Sequence, residues 1–346
     1  MHDVSPAAKD AEGIHVTVGI PTRNRPDLLR KAIASVLEQN YRGFTLLVSD
    51  NGPNEETATA AASFEDPRIV YRPLDPPVER AANYNGLVET AETEFVVLLA
   101  DDDELHPDHL SMTVDALRRW PSAGLAHTGY LMIDTGGKIL APHNSPFKTK
   151  EPLVLETGSQ FLERSMRKSG PTVSFSSITF RKAAFVDGGS LREEDGVSDD
   201  FPLLMRIATS WDFVYVNRPL AMVRAHKETS SSELGSFTPG GFRSSRSAAD
   251  VLYENRRKFL SEAELPDGDA RRFARFAERR FRHDVLSHLS MRSDSGDGPV
   301  TLFKALWTEI RRDPRLALDP LTLRFVAGQL GGRWLRDLAR RADRVS

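Results

Sequence analysis

Four consecutive acidic residues, Asp101 to Glu104, directly follow the apolar run 95–100. Carboxylates packed this closely repel one another, so folding them together is costly unless a cation neutralises them. Hard oxygen ligands favour Mg²⁺ or Mn²⁺ over zinc, and Mg²⁺ usually keeps coordination sites for water and substrate phosphates. The run therefore predicts a divalent-metal site for a phosphate-bearing substrate. The alternative is a set of acids at the start of a helix near His106.

Polar residues also follow two earlier apolar runs. Asp50 precedes the turn sequence Asn51-Gly52-Pro53, and Arg23 and Arg25 follow the first run. A carboxylate at position 50 suits the N3–H of a pyrimidine or a ribose hydroxyl, and the two arginines suit a diphosphate. Taken alone, Asp50 is equally typical of a turn, and the arginines are typical of a protein surface.

The elements that must position these residues alternate in type. Strands are expected at residues 15–20, 44–49, 68–71 and 94–100, and helices at 26–40, 55–64, 83–90 and 106–120. Such alternation predicts a mostly parallel sheet with helices on both faces. Ligands of open α/β sheets bind outside the carboxyl ends of the strands. We therefore expect the polar residues after the strands to share one crevice.

The remainder of the chain is less regular. A strand is expected at 173–180, a helix from Asp199-Asp200 to Ala208, a strand at 213–216, a Ser- and Gly-rich loop at 229–247, and helices from 248 onward. We predict a catalytic domain over residues 14–235 and a C-terminal helical arm over 248–346.

Four motifs, in this order and spacing, resemble family 2 glycosyltransferases of the GT-A fold. They are Val18 to Arg25, Ala34 to Gln39, Val48 to Gly52 and Leu98 to Leu110. The resemblance is continuous over residues 15–130 and weaker to about residue 232. It implies a Rossmann-like, mixed but mostly parallel sheet flanked by helices, with a C-terminal helical extension.

The resemblance also implies roles for single residues. Asp50 would contact the nucleobase, Asp101 the ribose, and Asp102 the metal on the donor diphosphate. The remaining donor-binding and metal-binding positions that it implies are Pro21, Thr22, Arg23, Asn24 and Arg224 for the donor, and Asp103 and His226 for the metal. Ala100 stands where the family usually has aspartate, so whether Asp101 or Asp103 assists Asp102 stays open.

Further downstream, the segment Ser198 to Arg206 resembles the family's Glu-Asp segment, whose aspartate is the catalytic base. By position the base is Asp200, with Asp199 in place of the usual glutamate. The alternative for this pair is a helix N-cap. Arg224-Ala225-His226 resembles the family's Arg-x-His segment. His226 is equally well interpreted as structural.

The resemblance implies an inverting transfer of sugar from a nucleoside-diphosphate sugar, by family habit UDP-sugar, with Mn²⁺ or Mg²⁺. The acceptor would be a hydroxyl of a glycan, lipid-linked or small-molecule substrate, as in polysaccharide biosynthesis. One alternative is a metal-dependent phosphohydrolase, although Pro21 to Asn24 lack the nucleophile that such folds place after the first strand. The other is a catalytically silent nucleotide-sugar-binding module.

Composition adds limits. The chain has 346 residues and no cysteine, which excludes disulfides, thiol nucleophiles and iron–sulfur clusters. Residues 1–13 lack the apolar core of a signal peptide, so we expect a cytoplasmic protein. Residues 271–346 carry 17 basic and 9 acidic side chains within a chain of net charge −3. This basic arm predicts peripheral contact with the inner face of the membrane, or a homodimer, and no nucleic-acid partner.

Overall fold

A computed structural model describes residues 15–147, 149–168, 173–198, 200–225, 235–238, 241–244, 246–294, 299–320, 322–323 and 325–326. The strands are β1 Val16–Thr22, β2 Phe44–Asn51, β3 Ile69–Leu74, β4 Phe95–Leu98, β5 Glu104–Leu105, β6 Ala123–Ile133, β7 Ile139–Asn144, β8 Leu153–Glu156, β9 Ile178–Arg181, β10 Asp212–Arg224, β11 Gly235–Thr238 and β12 Gly241–Ser244. The helices are α1 Pro26–Leu37, α2 Glu55–Ala62, α3 Arg80–Thr90, α4 His109–Arg119, α5 Gly158–Arg167, α6 Lys182–Asp187, α7 Asp200–Ile207, α8 Arg246–Glu262, α9 Asp267–Asp294 and α10 Pro299–Arg312. Short 3₁₀ helices lie at Phe175–Ser177, Glu193–Ser198 and Pro314–Leu318.

Within these ranges, strands β1 to β10 form one mixed sheet in the order β3-β2-β1-β4-β9-β6-β10-β5. Strand β7 is added beside β6, and β8 beside β10, while β11 and β12 form a separate hairpin. The long pairings are parallel: β1 with β2, β2 with β3, and β6 with β10. Strand β9 runs antiparallel between β4 and β6. The predicted α/β fold with a mostly parallel central sheet is confirmed.

The sheet is rigid because apolar side chains cover both of its faces. Every residue of β1 is buried, and α1 packs its apolar stripe of Leu29, Ile33 and Val36 against one face. Helices α3, α5, α6 and α7 supply the core on the other face. Burying one such side chain contributes roughly 1.5–3 kcal/mol. The carboxyl ends of the strands are thereby held in fixed positions.

Several boundaries differ from those predicted. Helix α3 begins at Arg80, three residues earlier than expected, directly after the turn that contains Pro76 and Pro77. The strand expected over 173–180 exists only from Ile178, as β9, because a 3₁₀ turn occupies Phe175–Ser177 before it. Strand β10 runs to Arg224 rather than ending at Val216, since it resumes its pairing with β6 after an irregularity at Pro219.

The C-terminal helices pack against the rest of the chain. Leu252 and Phe259 of α8 and Phe273 of α9 belong to the same apolar core as α5 and α7. Helix α10 contributes Leu302 and Leu306 to a separate small cluster. None of the helices described is long and apolar enough to cross a membrane. The division of the chain near residue 248 stays a prediction.

Candidate active site

The end of β1 contacts the acidic run. Thr22 donates a hydrogen bond from Oγ1 to Oδ2 of Asp101 over 2.8 Å. Nη1 of Arg25 donates to Asp101 Oδ1 over 3.1 Å and to Asp102 Oδ2 over 3.2 Å. A guanidinium that is 41% exposed thus bridges two adjacent carboxylates. Two of the strand ends that the sequence predicted to converge do so here.

The three aspartates of the run lie in different surroundings. Asp101 and Asp103 are buried, whereas the side chain of Asp102 is partly exposed. Burial and the neighbouring charge of Asp102 raise the pKa of Asp101, and Thr22 and Arg25 oppose that rise. Burial and the same charge hold the pKa of Asp103 well above its usual range. Asp102 is therefore the most accessible carboxylate of the three.

Protein groups bind both carboxylate oxygens of Asp103. Ser176 donates from Oγ to Oδ2 over 2.6 Å, and the backbone N–H of Arg224 donates to Oδ1 over 2.8 Å. Ser176 was not singled out from the sequence, because the segment around it was interpreted as a plain strand. These two bonds tie the acidic run to the start of β9 and the end of β10.

Arg224 was predicted to bind the donor, but its side chain is fully buried. Nε donates to the carbonyl of Asp102 over 2.9 Å, Nη1 to the carbonyls of Asp134 and Thr135, and Nη2 pairs with Glu104. All three guanidinium nitrogens therefore have protein partners: Nε and Nη2 bond to the acidic run, and Nη1 bonds to the turn after β6. The predicted contact of this side chain with a diphosphate is not supported by the geometry.

The type and number of the oxygen ligands in the acidic run suit a divalent cation. The donors are hard carboxylate oxygens, and Mg²⁺ in substrate-binding sites commonly takes one or two carboxylates together with phosphates. Asp102, with Asp101 beside it, offers that number. Among the described residues no three His, Asp or Glu side chains form a metal-holding cluster. The predicted ligand His226, like Asp199, lies outside the described residues.

Asp50 is a fully buried carboxylate at the end of β2. Its Oδ2 accepts a hydrogen bond from the Tyr71 hydroxyl over 2.6 Å. Its Oδ1 is buried and has no hydrogen-bond partner of normal geometry among the described residues. Burial raises the pKa of Asp50, although Tyr71 and the backbone of Asn54 act against the rise. Buried acceptors normally have a hydrogen-bond partner, and an N–H donor of a ligand would supply one for this oxygen.

The loops beside Asp50 form the mouth of the crevice. Gly52 has a φ of +104°, and a side chain there would meet the ring of Pro77 and approach Arg23. Asn24, also at positive φ, accepts a hydrogen bond from Asn54 over 2.7 Å. Arg23 and Asn24 are exposed, whereas Pro21 and Thr22 are buried within β1. Of the four donor-binding residues predicted at the end of β1, residues 21–24, two therefore face solvent at the mouth.

Asp200 opens α7 and is connected to the acidic run through two residues that sequence reasoning missed. Burial raises the pKa of Asp200, and the charge of Arg80 opposes this rise. The Arg80 guanidinium lies 5.2 Å from the ring centroid of Tyr84. Burial raises the pKa of Tyr84, Arg80 opposes the rise, and the charges of Asp101 and Asp102 add to it. Because the predicted helix began at residue 83, Arg80 was assigned to a loop and its position in the crevice was not foreseen.

Comparison with known proteins gives a family for part of the chain. Residues 17–186 match the family described as "Glycosyl transferase family 2". The Campylobacter jejuni "GalNAc(5)-diNAcBac-PP-undecaprenol beta-1,3-glucosyltransferase" is 33% identical over 129 residues, which are 36% of this chain and 40% of that protein. The Escherichia coli "Putative colanic acid biosynthesis glycosyl transferase WcaA" is 31% identical over 99 residues, 28% of this chain and 36% of that protein. The alignments thus span well under half of each relative.

Solved structures share the fold over nearly the whole chain. S. aureus TarS 1–349 in complex with UDP-GlcNAc has a TM-score of 0.58 and 13% identity, covering 95% of this chain and 92% of that one. The mannosyltransferase PcManGT from Pyrobaculum calidifontis, in complex with GDP-Man and Mn²⁺, has a TM-score of 0.54 and 16% identity, covering 96% and 90%. At these identities the likeness indicates the GT-A fold alone.

Proposed function

Residues 17–186 belong to glycosyltransferase family 2, and from this premise we propose that the chain transfers a sugar from a nucleoside diphosphate to an acceptor hydroxyl with inversion. One observation carries the proposal. A buried carboxylate oxygen of Asp50, which no described residue satisfies, lies at one strand end, and a cluster of carboxylates lies at another. The first suits the base of a nucleotide and the second suits its metal-bound diphosphate.

For the donor, we favour a uridine nucleotide. The uracil N3–H would complete the hydrogen bonding of Asp50 Oδ1, with Gly52 and Arg23 beside it. Guanine also carries a ring N–H, between its C6 carbonyl and its C2 amino group, and this N–H would serve the same oxygen. TarS binds UDP-GlcNAc and PcManGT binds GDP-Man, so relatives in fold provide examples of both bases. UDP-sugars come first by family habit.

For the cation, we propose that Asp102 is the main ligand, assisted by Asp101. Asp102 is the most accessible of the three aspartates, and the exposed Arg25 side chain can withdraw from Asp101 and Asp102. Both oxygens of Asp103 are already bound by Ser176 and Arg224. A bound Mn²⁺ or Mg²⁺ supplies positive charge against the charge that develops on the leaving diphosphate. His226 stays a proposed additional ligand.

For the chemistry, Asp200 accepts the proton of the acceptor hydroxyl. The hydroxyl oxygen then bonds to the anomeric carbon as the bond from that carbon to the diphosphate oxygen breaks. Arg80 favours the ionised form of Asp200, which a base requires. General base catalysis typically contributes about 10²–10⁴-fold to the rate. Asp199 is retained as a residue that supports the base.

The experiment that tests the proposal is a thermal-shift panel of UDP-, GDP- and dTDP-sugars, each with and without Mn²⁺. A donor present at 100 times its dissociation constant stabilises the protein by about 2.7 kcal/mol. Transfer by the wild type but not by Asp200→Asn, with donor binding retained in both, supports the mechanism. Release of inorganic phosphate from a sugar phosphate would instead favour the phosphohydrolase. Binding without turnover, across varied acceptors, would favour the silent binding module.

For the partner, we propose a lipid-linked glycan at an anionic membrane surface. Lys304, Trp307 and Arg311 share one exposed face of α10, and Trp307 is 58% exposed. The Arg311 guanidinium lies 5.8 Å from the Trp307 ring centroid. Beyond α10, Leu318 is 85% exposed. A tryptophan between cations is typical of segments that rest at a lipid interface.

Vesicle flotation tests this partner. Wild-type protein should float with phosphatidylglycerol vesicles and not with phosphatidylcholine vesicles. Replacing Lys304 or Arg311 by Gln should weaken binding about fivefold for each cation. Val186→Ser removes a similarly exposed apolar side chain elsewhere and should have no effect. Flotation that is indifferent to lipid charge contradicts the proposal. A dimer in light scattering that Trp307→Ser abolishes would favour the homodimer.

A further inference from the structure

The carboxylate of Asp195 forms a buried ionic link between the segment before Asp200 and the C-terminal arm. Its side chain is only 1% exposed. Oδ1 accepts from Nζ of Lys258 over 2.8 Å, and Oδ2 accepts from Nη1 of Arg206 over 2.7 Å. Burial alone raises the pKa of Asp195, but the hydrogen bonds from the two cations outweigh it and the net pKa is lowered. Asp195 is therefore held as an anion between two cations.

The partners of Asp195 come from two different helices. Arg206 lies in the last turn of α7, the helix that Asp200 opens, and it also donates to the carbonyls of Gly188 and Ser190 over 2.7 and 2.8 Å. Lys258 lies on α8, within the predicted C-terminal arm. The link thus ties the last turn of α7 and the segment before that helix to the arm, although neither cation belongs to the acidic run or to the strand ends.

A second attachment holds the same segment against the crevice. Glu193, two residues before Asp195, accepts a hydrogen bond from the backbone N–H of Ala81 over 2.5 Å. Ala81 follows Arg80, whose charge acts on Asp200. Between Asp195 and Asp200, Gly196 adopts φ +75° and ψ −153°, a conformation essentially restricted to glycine. The segment that carries Asp195 therefore makes a sharp turn at Gly196, directly after its two attachments at Glu193 and Asp195.

We infer that Lys258 is a positioning residue for Asp200, and that the arm thereby helps to set the geometry of the catalytic centre. The inference rests on the proposed role of Asp200 as the base. A displacement of about 1 Å in a catalytic group can lower a rate by 10²-fold, so a weakened link should appear in turnover. The donor residues lie on β1, β2 and the acidic run, and donor binding should not change.

The test compares Lys258→Met with Arg257→Met. Arg257 is the neighbouring cation on α8, 61% exposed and paired with Glu254, so its loss is a matched change of charge. Lys258 is 33% exposed and borders a cavity of about 370 Å³, which can accommodate the methionine. Lys258→Met should lower kcat about tenfold to a hundredfold with an unchanged KM for the donor. Arg257→Met and Lys258→Arg should stay near wild type.

Two further measurements separate positioning from a general loss of stability. The acidic limb of the kcat–pH profile should move to higher pH in Lys258→Met. The charge of Arg80 lowers the pKa of Asp200, and this effect weakens when Asp200 moves away from Arg80. Hydrogen exchange of the amides in α7 should quicken in Lys258→Met and not in Arg257→Met. If Lys258→Met fails to fold, Lys258→Gln takes its place with the same expected results.

The results distinguish this inference from the proposed function. If wild-type protein transfers no sugar, the proposed function fails, and the exchange of α7 still tests whether Lys258 holds that helix. Unchanged kcat together with unchanged α7 exchange in Lys258→Met would overturn the inference. So would equal losses of kcat in Lys258→Met and Arg257→Met, because the effect would then follow charge alone.

Discussion

Replacing Asp50 by Asn should weaken donor binding without weakening the fold. In the free protein the Asp50 carboxylate is buried, with one oxygen bonded to Tyr71 and the other without a partner in the part of the chain that the structure describes. The amide of Asn carries no charge to desolvate, so the free energy of unfolding should stay equal or rise. A hydrogen bond to a charged group contributes about 1.5–3 kcal/mol, which corresponds to a roughly tenfold to 150-fold increase in the dissociation constant.

The matched variant is Tyr71→Phe, which should have the opposite effect on the fold. It removes the hydroxyl that bonds to Asp50 and leaves both carboxylate oxygens without a side-chain donor. An unsatisfied buried polar group costs about 1–3 kcal/mol, so the free energy of unfolding should fall by that order. Titration calorimetry with UDP and Mn²⁺, together with urea denaturation, measures both quantities for both variants.

The pH dependence gives a third readout of the same carboxylate. Because burial raises the pKa of Asp50 above 3.8, the folded state binds more protons than the unfolded state between 3.8 and the raised value. Stability contributed by this group should therefore fall as pH rises through that interval, and Asp50→Asn should remove the slope. An Asn variant that binds UDP as tightly as wild type, or that loses as much stability as Tyr71→Phe, would refute the reasoning.

Three other substitutions probe the remaining parts of the site. Asp103→Asn should retain Mn²⁺-dependent donor binding in a thermal-shift assay, because the Asp103 oxygens already accept hydrogen bonds from Ser176 and Arg224. A loss of binding as large as that in Asp102→Ala would identify Asp103 as a metal ligand. Arg224→Met should lower the free energy of unfolding in urea by about 3 kcal/mol, since it leaves buried carbonyls and Glu104 without their partner. A change below about 1 kcal/mol would contradict this. Gly196→Ala should lower the free energy of unfolding by about 1–3 kcal/mol. The loss would come from backbone strain alone, because the space around Gly196 is open. An unchanged melting temperature would argue against that strain.

The sequence predicted the sheet and its crevice because both follow from local patterns. Apolar strands that alternate with helices require a covered parallel sheet, and the ends of its strands then meet. The bonds from Thr22 and Arg25 to the acidic run follow that expectation. The family was likewise recognised from four short motifs and is confirmed over residues 17–186.

Contacts between segments that are distant along the chain could not be predicted from the sequence. Nothing near Ser176 or Arg224 indicates that both meet Asp103, because those contacts depend on β9 and β10 flanking the same part of the sheet. An arginine in an Arg-x-His motif is typical of a ligand contact. The burial of Arg224 and its bonds to the acidic turn depend on the packing of distant segments, which the motif does not encode. Arg80 was missed for a simpler reason, a helix boundary placed three residues late.

The reversed direction of β9 has a consequence for re-engineering the enzyme. At the crevice, the parallel strands place the residues at their carboxyl ends. An antiparallel strand such as β9 instead places there the residues that come just before its first residue. Ser176, two residues before β9, therefore reaches Asp103 from a segment that takes no part in the pairing of β9 with β4 and β6. Insertions or grafted loops ahead of Phe175 should reshape one wall for a different acceptor while the scaffold stays intact.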